Sequence, residues 1–229
     1  IREYELGLKS KKVVNPQISF RQGVGITAGI LQYQELEFKR LFIEQPVLIR
    51  VEQGIKALRW SGGEYLIRSG EAIAIAGGQS IDITNRLAED GRYQARWLVW
   101  DNALIAAYAD AYPQQTVIRH ALPITSRSTE FVAAYQRALQ AVEDTTLPLD
   151  IACHRVSELL LWIGMSGGRF EQSEALTLTI KIRRLIAQDL ARQWSASSVA
   201  SAFSMSEATL RRKLADESTS LTEVLVDAR

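Results

Sequence analysis

Apolar and polar positions change rhythm near residue 100. Before it, short runs rich in β-branched and aromatic residues alternate with glycine-containing breaks. The runs are "ELEFKRLFI" (35–43), "PVLIRV" (46–51), "IKALRW" (55–60), "EYLIR" (64–68), "EAIAIA" (71–76), "SIDIT" (80–84) and "YQARWLVW" (93–100). The breaks include "SGG", "SG" and "GGQS". In "SIDIT" the isoleucines point one way and Asp82 the other, the period-2 signature of a half-buried strand. Many short strands at close spacing predict a sandwich or barrel. The inward set reads as Ile49, Trp60, Tyr65, Ile67, Ile73, Ile75, Ile81, Ile83, Trp97 and Val99. Small barrels either fill such a space with side chains or hold one small ligand in it.

After residue 100 the period is helical. "NALIAAYADAY" (102–112) predicts a helix stopped by Pro113. "STEFVAAYQRALQAVED" (128–144) opens on Ser128 as an N-cap and repeats apolar residues at spacings of three or four. "LDIACHRVSELLLWIGM" (149–165) continues until Gly167-Gly168, where "SGGRFEQSE" reads as a linker. These two amphipathic helices pack either on the barrel or on a second copy, and the pattern alone does not choose. Then come a helix in "LTLTIKIRRLIAQDLARQW" (176–194), a short helix in "SASSVASAF", a turn, a helix in "SMSEATLRRKLADE" and the start of another in "STSLTEVLVDAR".

Composition narrows the class. At 229 residues the chain holds one large or two modest domains, and 47% hydrophobic with 23% charged residues suits a soluble protein with a real core. Net charge is +1, but its distribution is uneven. Lys181, Arg183, Arg184, Arg192, Arg211, Arg212 and Lys213 face only Asp189 and Glu207 over 181–213, a local balance of +5. Such a stretch points to an anionic partner or to a solvated helix face. A lone cysteine, Cys153, excludes an intrachain disulfide framework and a cysteine metal site. No signal peptide is visible and no apolar run reaches about 18 residues, which predicts a cytoplasmic protein without a membrane partner.

Catalytic chemistry finds few candidates. The two histidines, His120 and His154, have no metal-motif spacing, Glu35/Glu37 reads as a polar strand face, and "RQGVGI" (21–26) is too short for a phosphate loop. No metal and no cofactor are expected. The run from Gly54 to Asn85 resembles a cupin barrel: Gly70, Gly78 and Asn85 match the second cupin motif, G-x5-P-x-G-x2-H-x3-N. Ala76 replaces its proline and Ile81 its metal-binding histidine, while Trp60 and Gly62 stand near the first motif's histidine positions. A framework without imidazole ligands implies a non-catalytic barrel.

The stretch from Ser195 to Ala215 reads as a helix-turn-helix. Ser195 or Ser197 caps the first helix, and Val199, Ala200 and Phe203 form its buried face. Ser204-Met205-Ser206 makes the turn, and Ser206 caps the second helix. Leu210 and Leu214 face inward, leaving Glu207, Ala208, Arg211 and Arg212 outward with Thr209 at the boundary. An apolar back and a polar front near the N-terminus suit a helix in the major groove. Arg211 and Arg212 can fork onto guanine or phosphate, and one good bidentate base contact contributes about 1–3 kcal/mol of discrimination. Ala208 and Thr209 can meet thymine methyls. Glu207 can accept from cytosine or complement the helix N-terminus. Lys213, Arg192 and the backbone at Ser206 suit phosphate.

These residues carry a resemblance to the AraC/XylS family of bacterial transcription regulators. The family pattern A-x3-G-[MY]-S-x3-L-x-R-x-[FL] falls on Ala200, Ser204, Met205, Ser206, Leu210, Arg212 and Leu214. Its L-x-x-E-G-T-S-F-x-x-x-L-x-x-x-R falls on "LADESTSLTEVLVDAR", ending at Arg229. Ser204 and Ser218 replace the pattern's two glycines, at about 1 kcal/mol each where φ is positive. The resemblance implies an α+β protein: an N-terminal cupin-like β-barrel with a helical pair, followed by an all-α helix-turn-helix subdomain. The expected boundaries are 1–124 for the sensor barrel, 125–166 for the pair that dimerises, 167–175 for the linker and 176–229 for the first helix-turn-helix. The family's second motif is expected to be missing beyond Arg229, so weak, salt-sensitive binding to double-stranded DNA is expected. A small apolar effector such as a fatty acid is expected to sit among Ile49, Trp60, Tyr65, Ile67, Ile81 and Trp97, beside basic Lys11, Lys12 and Arg21. The competing readings are an effector-binding and dimerisation module without DNA affinity of its own, and a cupin-like enzyme.

Overall fold

The computed structural model describes residues 13–14, 17–60, 62–125, 128–171, 178–188, 193–217 and 219–227. The chain divides into two compact units, Gly7–Gln172 and Ser173–Arg229.

The first unit opens with strands β1 (Val13–Val14), β2 (Ile18–Arg21), β3 (Gly25–Gln32), β4 (Leu36–Ile43), β5 (Val47–Gln53) and β6 (Ile55–Trp60). It continues with β7 (Gly63–Arg68), β8 (Ala72–Ile75), β9 (Gln79–Arg86) and β10 (Tyr93–Trp100), then helix α1 (Asn102–Ala111) and β11 (Ala121–Ile124). Helices α2 (Thr129–Glu143) and α3 (Leu149–Met165) end it. All pairings between these strands are antiparallel. They form a seven-stranded sheet in the order β1-β3-β10-β5-β8-β11, with β2 also on β3, and a four-stranded sheet in the order β4-β9-β6-β7.

The expected barrel is therefore not closed: the described strands form two separate sheets that meet through side chains. Alternate positions of the strands fill two separate cores. Ile49, Ile73 and Val99 from the large sheet meet Leu58, Ile67, Ile81 and Ile83 from the small one in one apolar core. The opposite face of the large sheet presents Leu48, Ala72, Ala74, Leu98 and Trp100 to α2 and α3, building a second core around Phe131, Tyr135, Val156 and Leu159. The large sheet is thus buried on both faces.

The helical pair thus packs within its own chain. Ser128 caps α2 as expected, its side chain accepting from the Phe131 N–H. Polar contacts from Trp100, Tyr135 and Arg21 help fix the pair to the sheet. The Trp100 indole donates to the Val156 carbonyl at 2.8 Å. The Tyr135 hydroxyl donates to the Arg96 carbonyl at 2.7 Å. The Arg21 guanidinium donates to the carbonyls of Ala141 (2.8 Å), Asp144 (2.7 Å) and Leu147, where α2 ends. The "RQGVGI" stretch is the hairpin between β2 and β3, and a Cβ at Gly25 would collide with the Val99 carbonyl on neighbouring β10. Among the described residues no helix is long and apolar enough to cross a membrane, and no cluster of His, Cys, Asp or Glu is placed to hold a metal.

Candidate nucleic-acid interface

The second unit consists of short helices: α4 (Leu178–Gln188), α5 (Ala196–Ala202), α6 (Glu207–Asp216) and α7 (Leu221–Asp227). Their shared core is Leu178, Ile182, Ile186, Val199, Ala200, Leu210, Leu214 and Val224. Several of the described helix ends have a side-chain or backbone device. Ser195 and Ser198 form a reciprocal capping box on α5, each hydroxyl accepting from the other's backbone N–H at 3.1 and 2.9 Å. Ser206 caps α6 by accepting from the Thr209 N–H at 3.1 Å, and its hydroxyl also meets that of Thr209 at 2.9 Å.

The turn between α5 and α6 is a Schellman motif. The Met205 N–H donates to the Ala200 carbonyl and the Ser204 N–H to the Ser201 carbonyl. Ser204 takes φ of 52°, the left-handed conformation that glycine adopts without strain. This is the position where the AraC/XylS pattern that the sequence resembles has glycine. The Thr219 N–H donates to the Leu214 carbonyl after α6 in the same fashion. Ser218 and Arg192 lie outside the described residues, as do Lys11 and Lys12.

Glu217, five residues past Arg212, ties α6 back to α4. Its two carboxylate oxygens accept from the Leu178 N–H at 2.7 Å and the Thr179 N–H at 2.9 Å. A carboxylate there satisfies two orphan donors and complements the positive end of the α4 dipole. Arg183 on α4 and Asp227 on α7 form an ion pair at 2.8 Å, with only 13% and 4% of the side chains exposed. A Ser220–Glu223 capping box starts α7.

These constraints leave one face of α6 open. Leu210 and Leu214 are buried, while Ser206, Glu207, Ala208, Arg211, Arg212 and Lys213 are exposed and Thr209 is half-buried. Glu207 reaches Arg211 one turn on at 3.4 Å. With the arginine side chain 74% exposed this ion pair is weak, so Arg211 can exchange it for another anion at little cost.

The expected effector residues separate into two groups. Ile49, Ile67 and Ile81 are buried in the core between the sheets, with Trp60, Tyr65 and Trp97 packed against it. Arg21 does not join them, because its guanidinium is spent on the α2 carbonyls on the other side of the large sheet. A different cation is there instead. Lys56 is buried; its ammonium donates to Asn85 Oδ1 at 2.7 Å, and Asn85 Nδ2 donates to Gln32 Oε1 at 3.1 Å. Burial lowers the ammonium from its ordinary 10.5 to about 7. The strand pattern held a signal for it: with Trp60 inward on β6, Leu58 and Lys56 share that face.

No family model matches the chain. Two Escherichia coli proteins show similarity over a limited stretch. The DNA-binding dual transcriptional regulator Rns is 41% identical over 49 residues, which is 21% of this chain and 18% of that protein. The HTH-type transcriptional activator CfaD is 39% identical over 49 residues, with the same coverage of 21% and 18%. Its relatives are transcription regulators. The matched stretch spans about a fifth of their length. The fold is that of ToxT from Vibrio cholerae, matched at TM-score 0.62 and 14% identity over 92% of this chain and 80% of that one. A ToxT structure with an unsaturated fatty acid bound matches at 0.61 and 11% identity, over 96% and 78%.

Glu217→Ala leaves two N–H groups at the start of α4 unpaired. It is expected to destabilise the Ser173–Arg229 unit by about 1–2 kcal/mol in urea unfolding followed by circular dichroism. An unchanged midpoint would remove Glu217 from the account.

Proposed function

We propose that the chain is a sequence-specific, DNA-binding transcription regulator of AraC type, with an N-terminal effector-binding and dimerisation unit and α6 as its recognition helix. One observation carries the reading: α6 spends its leucines on the core and presents Arg211, Arg212 and Lys213 outward next to a capped N-terminus. The regulators among its relatives support the same class. Work on DNA places the protein in the cytoplasm, and no catalytic role is assigned to it. Arg211 and Arg212 read bases or grip phosphate, Lys213 and the Ser206 backbone N–H fix position, and Ala208 and Thr209 offer methyl contacts. Three cations on one helix neutralise about three phosphates, so binding is weak with a log–log salt slope of about −3.

Fluorescence anisotropy with a mixed-sequence duplex tests this. The double variant Arg211→Ala/Arg212→Ala is expected to bind at least about ten-fold more weakly, its salt slope shallower by about 2, with the melting temperature unchanged. Equal affinity for variant and parent would overturn the role of α6.

Dimerisation rests on α3. Ile151, Leu161 and Met165 are 47%, 44% and 79% exposed and recur along one stripe, while the opposite face of α3 is already buried in the core it shares with α1, α2 and the large sheet. A second copy of this stripe is the proposed partner. Sedimentation velocity is expected to show a dimer that Leu161→Arg shifts to monomer, and a parent chain that is monomeric at high concentration would refute it. The core between the sheets is the proposed place of a small apolar effector such as a fatty acid. Its aliphatic lining supports this, as does the fold shared with a protein crystallised with such a ligand. A melting temperature unmoved by dodecanoate would count against it.

A further inference from the structure

The core between the sheets carries a polar feature that its packing does not need. On β6, Lys56, Leu58 and Trp60 point into that core, and the two beyond Lys56 pack with aliphatic and aromatic neighbours. Lys56 stands opposite Asn85 of β9 and Ile67 of β7. Its ammonium lies 5.4 Å from the ring centroid of Tyr93 on β10. Lys56, Asn85 and Gln32 are each 2% exposed and Tyr93 is fully buried. Nothing anionic is in this group: Lys56 hydrogen-bonds to a neutral amide, and that amide is held by a second amide, Gln32 of β3.

Burying an ammonium without a counter-ion is costly, and proteins normally pair or neutralise such a group. A methionine would fill the same volume without that cost. Three N–H donors meet one acceptor from Asn85, so two are left to be used. The Tyr93 hydroxyl is itself buried with no hydrogen-bond partner. Two under-used donors thus sit on neighbouring side chains in an apolar core.

We infer that Lys56, oriented by Asn85 and Gln32 and assisted by Tyr93, binds the acid group of a monocarboxylate whose apolar body lies between the sheets. This rests on the effector reading above and moves the head-group contact from Arg21 to Lys56. A single cation matches a single negative charge, since a dianion would leave one charge buried and uncompensated. The apolar body follows from the row of Leu58, Ile67, Ile81 and Ile83 beside it. The two sheets are not joined by a hydrogen-bond ladder, so a chain can enter by displacing side chains alone. Pairing with a carboxylate restores the charged form of an amine that burial has made half-neutral near pH 7, so binding takes up protons. The groups facing Lys56 do not compete in that titration: Asn85, Gln32 and Ile67 do not ionise, and burial pushes the Tyr93 phenol up.

Calorimetric titration of the full chain with dodecanoate and with dodecanol, which has the same apolar body and no charge, tests the assignment. The parent is expected to bind dodecanoate at least about ten-fold tighter than dodecanol, and Lys56→Met to bind both alike while melting no lower than the parent. Titrating the parent with dodecanoate in phosphate and in Tris at pH 7 is expected to reveal uptake of about half a proton per carboxylate, a readout that needs no variant. Undiminished dodecanoate binding by Lys56→Met, or absent proton uptake in the parent, overturns the Lys56 site and leaves the effector reading standing. Failure of the parent to bind either molecule overturns the effector reading and this site with it.

Discussion

A helix of ten residues does not hold its shape alone in water. Helices shorter than about 12–15 residues are marginal without tertiary contacts, and α4 to α7 have 11, 7, 10 and 7 residues. The Ser173–Arg229 unit therefore exists only through mutual packing and capped ends. Leu210 and Leu214 against Val199 and Ala200 set where α6 lies, the Schellman turn at Ser204 sets its angle of entry, and Glu217 anchors its far end to α4. All of these lie on the back or at the ends of α6. The front is left without structural duty, which frees Arg211, Arg212 and Lys213 for an anionic partner.

The Gly7–Gln172 unit solves a different problem, that of one sheet facing two cores. The large sheet supplies alternate residues of the same strands to both: Leu98 and Trp100 to the helices, Val99 to the small sheet. Any displacement of the sheet by a molecule in the inner core is therefore felt by α2 and α3. The contacts from Trp100, Tyr135 and Arg21 are hydrogen bonds of defined geometry, so they transmit a shift in register as well as apolar packing does. For the effector proposed above, this is a physical route to the face of α3 that carries Ile151, Leu161 and Met165.

Much of this was legible in the chain because it is local. Ser128, Ser195 and Ser206 cap the helices they precede, and strands β4 to β10 fall on the short apolar runs. What was not legible depends on long-range pairing. β3 is interrupted by glycine, and β11 contains Pro123, which suits an edge strand and hides it from a propensity reading. Two separate sheets and one barrel have the same local period, so closure could not be read from it. Arg21 meets carbonyls about 120 residues away, and no local pattern announces that. Lys56 is hidden from a composition reading because lysine is usually exposed, although its parity with Trp60 puts it inside.

The central claim, that α6 is the DNA-reading element, is tested most directly by amide hydrogen exchange of the 229-residue chain with and without a mixed-sequence DNA duplex at low salt. The account predicts that added DNA slows exchange chiefly over 206–213. Protection that falls elsewhere in the chain and leaves 206–213 unchanged would contradict it.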